Sequence, residues 1–181
     1  MEISELLSDA FERMREGVSH VTDGLDAAAL AYRPDPDANS IAWLVWHSTR
    51  VQDDHVSQIA GRGQAWITDG WVDRFGLPLE PTDTGYDHTS EQVGAVDVDG
   101  PDLLVAYHEA VAQRTLGYLD SIDAAELDRI VDDSLDPPVS VGVRLVSVIT
   151  DQLQHLGQAG YARGMLERLG PRGGPDGELT I

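Results

Sequence analysis

Four stretches of the chain repeat apolar residues every three or four positions, the spacing that draws one stripe along an α-helix. The first covers about residues 2–22, where Ile3, Leu6, Leu7, Ala10, Phe11, Met14, Val18 and Val21 share the stripe and Thr22-Asp23-Gly24 ends it. After the helix-hostile Arg33-Pro34-Asp35-Pro36, Asn39 and Ser40 supply N-cap chemistry for a second helix traced by Ile41, Leu44, Val45, Ser48, Val51, Gln52, His55 and Ile59, with Gly61 as its stop. Pro101 suits a first helical position and opens a third helix carrying Leu104, Val105, His108, Val111, Ala112, Thr115 and Leu119. The fourth spans about residues 139–169, with Leu145, Val148, Ile149, Gln152, Leu156, Ala159 and Gly160 toward the core.

Between the second and third helices lie about forty residues, 62–100, rich in Gly, Pro and Asp yet holding Trp66, Trp71, Phe75 and Tyr86. A crossover of that length lets the third helix run parallel to the second, so the pattern predicts an all-α, up-down-down-up four-helix bundle over residues 1–169. The crossover aromatics are expected to close over one end of it. Asp26 and Asp123 each precede a short helical turn, and Asp123 and Glu126 have the spacing of a capping box. Residues 170–181, dominated by Gly and Pro, read as a disordered tail.

Composition narrows the functions open to such a bundle. A chain of 181 residues buries roughly 70% of its unfolded surface and needs neither disulfide nor structural metal to fold, so any metal is expected to serve function. The formal net charge of −20 repels nucleic acid and anionic membrane. There is no cysteine, which excludes a thiolate nucleophile and Cys-ligated metal; thiol chemistry must come from a small molecule. All 12 basic residues are Arg, which removes Schiff-base lysines and the P-loop lysine. The acidic N-terminus lacks a signal-peptide core and no apolar run approaches a membrane span, so a soluble, cytoplasmic protein is expected.

Against that background, polar metal-ligand side chains interrupt two apolar helices. Asp151 and His155 stand four residues apart on one face of the fourth helix, and His47 interrupts Ile41-Ala42-Trp43-Leu44-Val45-Trp46 on the second. In a chain with 32 acidic residues, D-x-x-x-H alone is weak, and a lone histidine on an apolar helix is more often a core residue. The combination is stronger, because a carboxylate buried without a cation or partner costs several kcal/mol. The competing reading is a plain Asp151–His155 or Asp151–Arg ion pair. Asp53-Asp54-His55 is a weaker second cluster, His20 and His108 lack partners at ligand spacing, and periodicity assigns no position to His88 in the crossover. No G-x-S-x-G elbow, dinucleotide fingerprint or P-loop occurs.

Three segments together resemble the DinB-like superfamily: Arg33-Pro34-Asp35-Pro36-Asp37-Ala38-Asn39-Ser40-Ile41-Ala42-Trp43-Leu44-Val45-Trp46-His47, then His88-Thr89-Ser90-Glu91-Gln92-Val93, then Asp151-Gln152-Leu153-Gln154-His155-Leu156-Gly157-Gln158. The resemblance implies a metal held by His47, Asp151 and His155, where many relatives have histidine in place of Asp151. Two imidazoles and a carboxylate suit Zn, Ni, Mn or Fe, so donor type does not select the metal. Trp43 and Asp54 are expected around His47, Gln158 beyond His155, and Arg50 as an anion contact. The family includes mycothiol- and bacillithiol-dependent transferases and a mycothiol-dependent isomerase. The implied function is therefore a metal-dependent transferase or isomerase using mycothiol or another small thiol on an electrophile; the alternative is a metal-binding, stress-related protein without turnover. The resemblance also implies a homodimer.

Overall fold

A computed structural model describes residues 2–169. The tail expected at 170–181 lies outside the described residues. In chain order the elements are α1 (Ile3–Thr22), α2 (Ala27–Leu30), α3 (Ile41–Ile59), α4 (Ala65–Thr68), α5 (Trp71–Phe75), α6 (Ser90–Gly94), α7 (Pro101–Leu119), α8 (Ala124–Asp128), β1 (Ile130–Asp132), β2 (Val139–Ser140) and α9 (Val141–Leu169). The chain is mainly helical. Of the four long helices, α1 packs on α7 and α9, and α3 packs on the same two.

Local signals set most boundaries. The Ser40 hydroxyl accepts from the Trp43 amide at 3.1 Å and opens α3, and Gly61, at φ 64°, lies just past its end. Pro101 stands at the first turn of α7. Asp26 and Asp123 cap α2 and α8. The expected reciprocal bond from Glu126 is absent; its carboxylate is taken by Arg129 and the Tyr118 hydroxyl, both at 2.7 Å. Val139 and Ser140 do not begin the fourth helix. They pair antiparallel with β1, Ile130 opposite Ser140, and α9 starts directly after. On α9, Gly160 is exposed and Ile149 and Leu156 half-buried, whereas Ala162 is buried.

The largest departure from simple amphipathicity is α3. Every residue from Ile41 to Asp53 is buried, including Ser48, Thr49, Arg50, Gln52 and Asp53. Apolar residues divide into two clusters, one around Trp46, Trp66, Trp71 and Tyr107 and one around Phe11, Met14, Leu119 and Leu145. A polar link joins three helices: Gln152 on α9 donates to Gln52 on α3 at 2.6 Å, and Gln52 donates to Thr115 on α7 at 2.9 Å. Each buried amide thereby recovers part of what it loses on leaving water.

The crossover is structured by the same requirement. Asp53 accepts the amides of Ala65 (2.9 Å) and Trp66 (2.8 Å), capping α4 from outside, and also the Tyr107 hydroxyl at 2.9 Å. Arg50, wholly buried, donates to the Asp83 carbonyl (3.1 Å), Gln64 (2.9 Å) and the Tyr107 oxygen (3.3 Å), with the Asp53 carboxylate 3.8 Å away. Trp66, Trp71 and Phe75 therefore pack inside the core around Tyr107 instead of lidding the bundle; only Tyr86, 61% exposed, stays outside. No helix among the described residues is long and apolar enough to cross a membrane.

Two stability predictions follow from these buried groups. Arg50→Met leaves the Asp53 charge without its cation and is expected to cost about 3 kcal/mol or more, against about 1–2 kcal/mol for Tyr107→Phe, both read by urea unfolding. His108, fully buried, donates from Nδ1 to the Thr49 hydroxyl at 3.0 Å, because that hydroxyl already donates to the Val45 carbonyl. Burial pushes its pKa down to about 4 from 6.5. Between those values the unfolded chain binds a proton that the folded one refuses, so this stability is intact above 6.5 and lost as pH falls toward 4. From pH 7 to 4.5 the parent should lose about 2–3 kcal/mol more than His108→Gln.

Candidate metal site

His47, Asp151 and His155 each offer a ligand atom, and the three atoms lie within 4.8 Å of one another. Helix geometry places Asp151 one turn before His155 on α9, and the packing of α3 on α9 brings in His47. The imidazoles of His47 and His155 meet edge to face with centroids 4.8 Å apart. His47 is buried; the other two are half-buried.

The hydrogen bonds orient both imidazoles alike. His47 Nδ1 lies 2.5 Å from the Thr84 carbonyl, which can only accept, so Nδ1 carries the proton and Nε2 keeps its lone pair. Nδ1 of His155 lies 2.9 Å from Gln158 Oε1, and its Nε2 stands 3.4 Å from Asp151 Oδ1. Two electron-pair donors facing each other across that gap require a proton or a cation between them. Asp151 Oδ2 is buried with no hydrogen-bond partner, as a carboxylate oxygen reserved for a cation would be. The donor set fits one metal ion.

Electrostatics separate the two imidazoles. Burial lowers the pKa of His47, against the pull of the Thr84 bond, and the neighbouring His155 lowers it further, so the ring is held neutral, the form that binds metal. Burial also opposes the charge on His155, but its hydrogen bonds to Asp151 and Gln158 and the Asp151 charge outweigh it and raise the pKa.

A strap from the crossover holds His47 in place. Gly85, at φ 101°, passes so close that a Cβ there would stand 2.5 Å from His47 Nδ1. Asp83 accepts the Gly85 amide at 2.9 Å and faces His88 Nε2 at 2.9 Å; His88 Nδ1 in turn accepts from the Trp43 indole at 2.9 Å. Trp43 stacks on His47 at 4.5 Å, and Tyr86 meets its ring edge at 5.5 Å. None of Asp83, Thr84, Gly85 and Tyr86 stood out in the helical pattern. The available signal was a turn-forming Asp-Thr-Gly inside an aromatic-bearing crossover.

Trp43 and Gln158 thus lie against the candidate ligands, while two other expected residues lie elsewhere. Asp54 follows His47 by seven residues, two turns or about 10 Å along the helix, and faces Gln64 and His55 (3.7 Å). Arg50 is sealed into the crossover, its guanidinium on Gln64, Tyr107 and the Trp66 ring at 4.8 Å, and offers no open anion contact. Beside Asp151 a groove of about 630 Å³ runs along α9, bounded by Val51, His55, Tyr86, Val146, Ser147 and Thr150.

Residues 10–159 match the family model of the DinB superfamily. A crystal structure described as the conserved protein of locus from Enterococcus faecalis is 32% identical, covering 93% of this chain and 99% of that one, with a TM-score of 0.87. No curated protein matches the sequence significantly.

Gly85→Ala tests the strap. Its Cβ should displace either the Thr84 carbonyl or the His47 ring and weaken zinc binding about 10–100-fold in a chelator-competition titration, with helical circular dichroism unchanged. Gly117→Ala, whose Cβ meets open space, should leave zinc affinity as it is.

Proposed function

The chain belongs to the DinB superfamily, and from that membership together with the His47–Asp151–His155 cluster we propose a metal-dependent enzyme that reacts a low-molecular-weight thiol with an electrophilic small molecule. The observation that carries the reading is the incomplete donor set: three ligands, the buried Asp151 Oδ2 without a partner, and a groove reaching Asp151 from outside. Three protein ligands leave coordination positions for a reactant, as catalytic sites do and closed structural sites do not. In this reading residues 1–169 form one domain, an up-down-down-up bundle working in the cytoplasm as a homodimer. Mycothiol is the thiol favoured by the family resemblance.

A divalent cation bound by these residues would lower the pKa of a thiol sulfur so that thiolate is available at neutral pH. The chain does the rest. Thr84 and Gln158 fix the tautomers that leave a lone pair on both Nε2 atoms, and Trp43 and Tyr86 shield His47 from water. The groove along α9 holds the thiol by its body, and proximity then converts a bimolecular encounter into a local one. In a transfer, a carbon–sulfur bond forms while the leaving group departs with its electron pair, and the thiol proton passes to solvent. In an isomerisation, the same bond forms across a double bond and breaks again after rotation, returning the thiol.

Elemental mass spectrometry on the untagged protein should find close to one metal per chain, and none in a folded Asp151→Ala/His155→Ala variant. The metal-loaded protein should then consume an electrophile with mycothiol, and the variant should not. Metal without consumption of any electrophile would leave a metal-binding protein without turnover; no metal after addition of Zn, Ni and Mn would leave only a hydrogen-bonded Asp151–His155 pair.

A further inference from the structure

Of the Trp, Phe and Tyr residues in the crossover, Trp66, Trp71 and Phe75 are buried around Tyr107, and Tyr86 alone is exposed. Core packing does not account for its place; the backbone does. Gly85 before it has φ 101°, and Asp87 after it has φ 57°, the one positive φ outside glycine among the described residues. A left-handed residue with a Cβ is held against a steric cost, and such residues collect where a side chain must be presented. Here the two turns present Tyr86. Both sides are anchored: the Asp83 and Thr84 carbonyls take Arg50 Nε (3.1 Å) and His47 Nδ1 (2.5 Å), and His88 is held between the Trp43 indole and Asp83, each at 2.9 Å.

The Tyr86 ring meets His47 edge to face and lines the groove that reaches Asp151. Its hydroxyl has no hydrogen-bond partner among the described residues, although burial and the charges of Asp151 and Asp54 raise its pKa, against Arg144. A phenol with an ordinary pKa of about 10 already keeps its proton at neutral pH. The other polar groups of the groove are committed or distant. Ser147 and Thr150 donate to the Val143 and Val146 carbonyls at 3.0 and 2.8 Å, which leaves their oxygens to accept. His55 lies eight residues beyond His47, about 12 Å along α3. Gln154 carries an amide, a far weaker acid than a phenol. Tyr86 is the acidic O–H beside the cluster.

We propose that Tyr86 is a catalytic residue: its hydroxyl donates to an oxygen of the electrophile as sulfur attacks, so the preferred electrophiles are those whose attack charges an oxygen, an epoxide or a conjugated carbonyl. The inference rests on the thiol-dependent reading above. With an epoxide, the carbon–sulfur bond forms as the carbon–oxygen bond breaks and leaves its pair on oxygen. The Tyr86 proton passes to that alkoxide, and the phenolate recovers a proton from solvent, which has received the one lost by the thiol. With a conjugated carbonyl, sulfur bonds the far carbon and the displaced π pair collects on oxygen, where Tyr86 holds it by a hydrogen bond until the near carbon takes a proton from solvent. A halide departs with its own charge and asks nothing of a phenol.

The test compares the metal-loaded full chain with Tyr86→Phe, using mycothiol and three electrophiles: styrene oxide, 4-phenyl-3-buten-2-one and benzyl chloride. The variant is expected to lose about 100-fold more kcat on the two oxygen electrophiles than on benzyl chloride, with kcat/KM falling in step. A loss confined to one of the two names that one as the substrate class. A second readout needs no turnover: acetohydroxamate, a small oxyanion probe, should bind the zinc-loaded parent at least tenfold more tightly than the variant by calorimetry, at equal zinc affinity. Phe keeps the ring and the hydroxyl has no partner to lose, so folding is not at stake. The inference is overturned by equal losses on all three electrophiles, by unchanged hydroxamate affinity, or by weakened zinc binding, which would make Tyr86 a support for His47. Metal without conjugation overturns the thiol-dependent reading, and hydroxamate affinity then still decides whether the hydroxyl reaches a ligand. Absence of metal overturns both.

Discussion

The structure depends on one constraint: α3 is buried along most of its length while carrying polar and charged side chains, and each of those must find a partner away from water. An unpaired buried charge costs several kcal/mol, which a domain of ordinary marginal stability cannot absorb more than once or twice. Arg50 and Asp53 meet the requirement by recruiting the crossover. Asp53 takes two amides of α4, Arg50 takes the Asp83 carbonyl, and Tyr107 bridges them. What periodicity leaves as a long loop thereby becomes part of the core.

The candidate metal site inherits its order from that arrangement. Because Arg50 holds the backbone at Asp83, the next two residues are delivered to the His47 ring, where the Thr84 carbonyl and the bare Cα of Gly85 fit against Nδ1. His88 and Trp43 close the loop from the other side. The His47 imidazole is thus oriented by a chain of contacts that begins with a buried ion pair about one helical turn away. Stability and ligand geometry rest here on the same residues, so destabilising the crossover would also loosen the site.

Much of the architecture is legible in the amino-acid sequence. The four long helices, the Ser40 cap of α3, Pro101 in the first turn of α7 and the Asp151–His155 pairing across one turn are consequences of local spacing, and local spacing is written in the chain. The errors share a cause as well. Asp54 does not reach His47 because seven residues span two turns, and the anion contact expected of Arg50 fails because its buried partners, Gln64, Asp83 and Tyr107, lie 14, 33 and 57 residues away. The β1–β2 pairing was missed for the same reason: two short segments acquire a strand identity only through each other.

The amino-acid sequence by itself determined which faces are apolar, where helices start and stop, and that a carboxylate and an imidazole share one face of α9, because helix geometry turns spacing into position with no help from the rest of the fold. Only the tertiary structure decided that the expected approach of His47 to that pair is made, that Gly85 presses on its ring, that Arg50 is spent on the crossover, and that Gln154 lines two grooves. Those facts are distances between residues far apart in the chain. They are set by which buried polar group finds which partner, a competition settled only when the whole core packs.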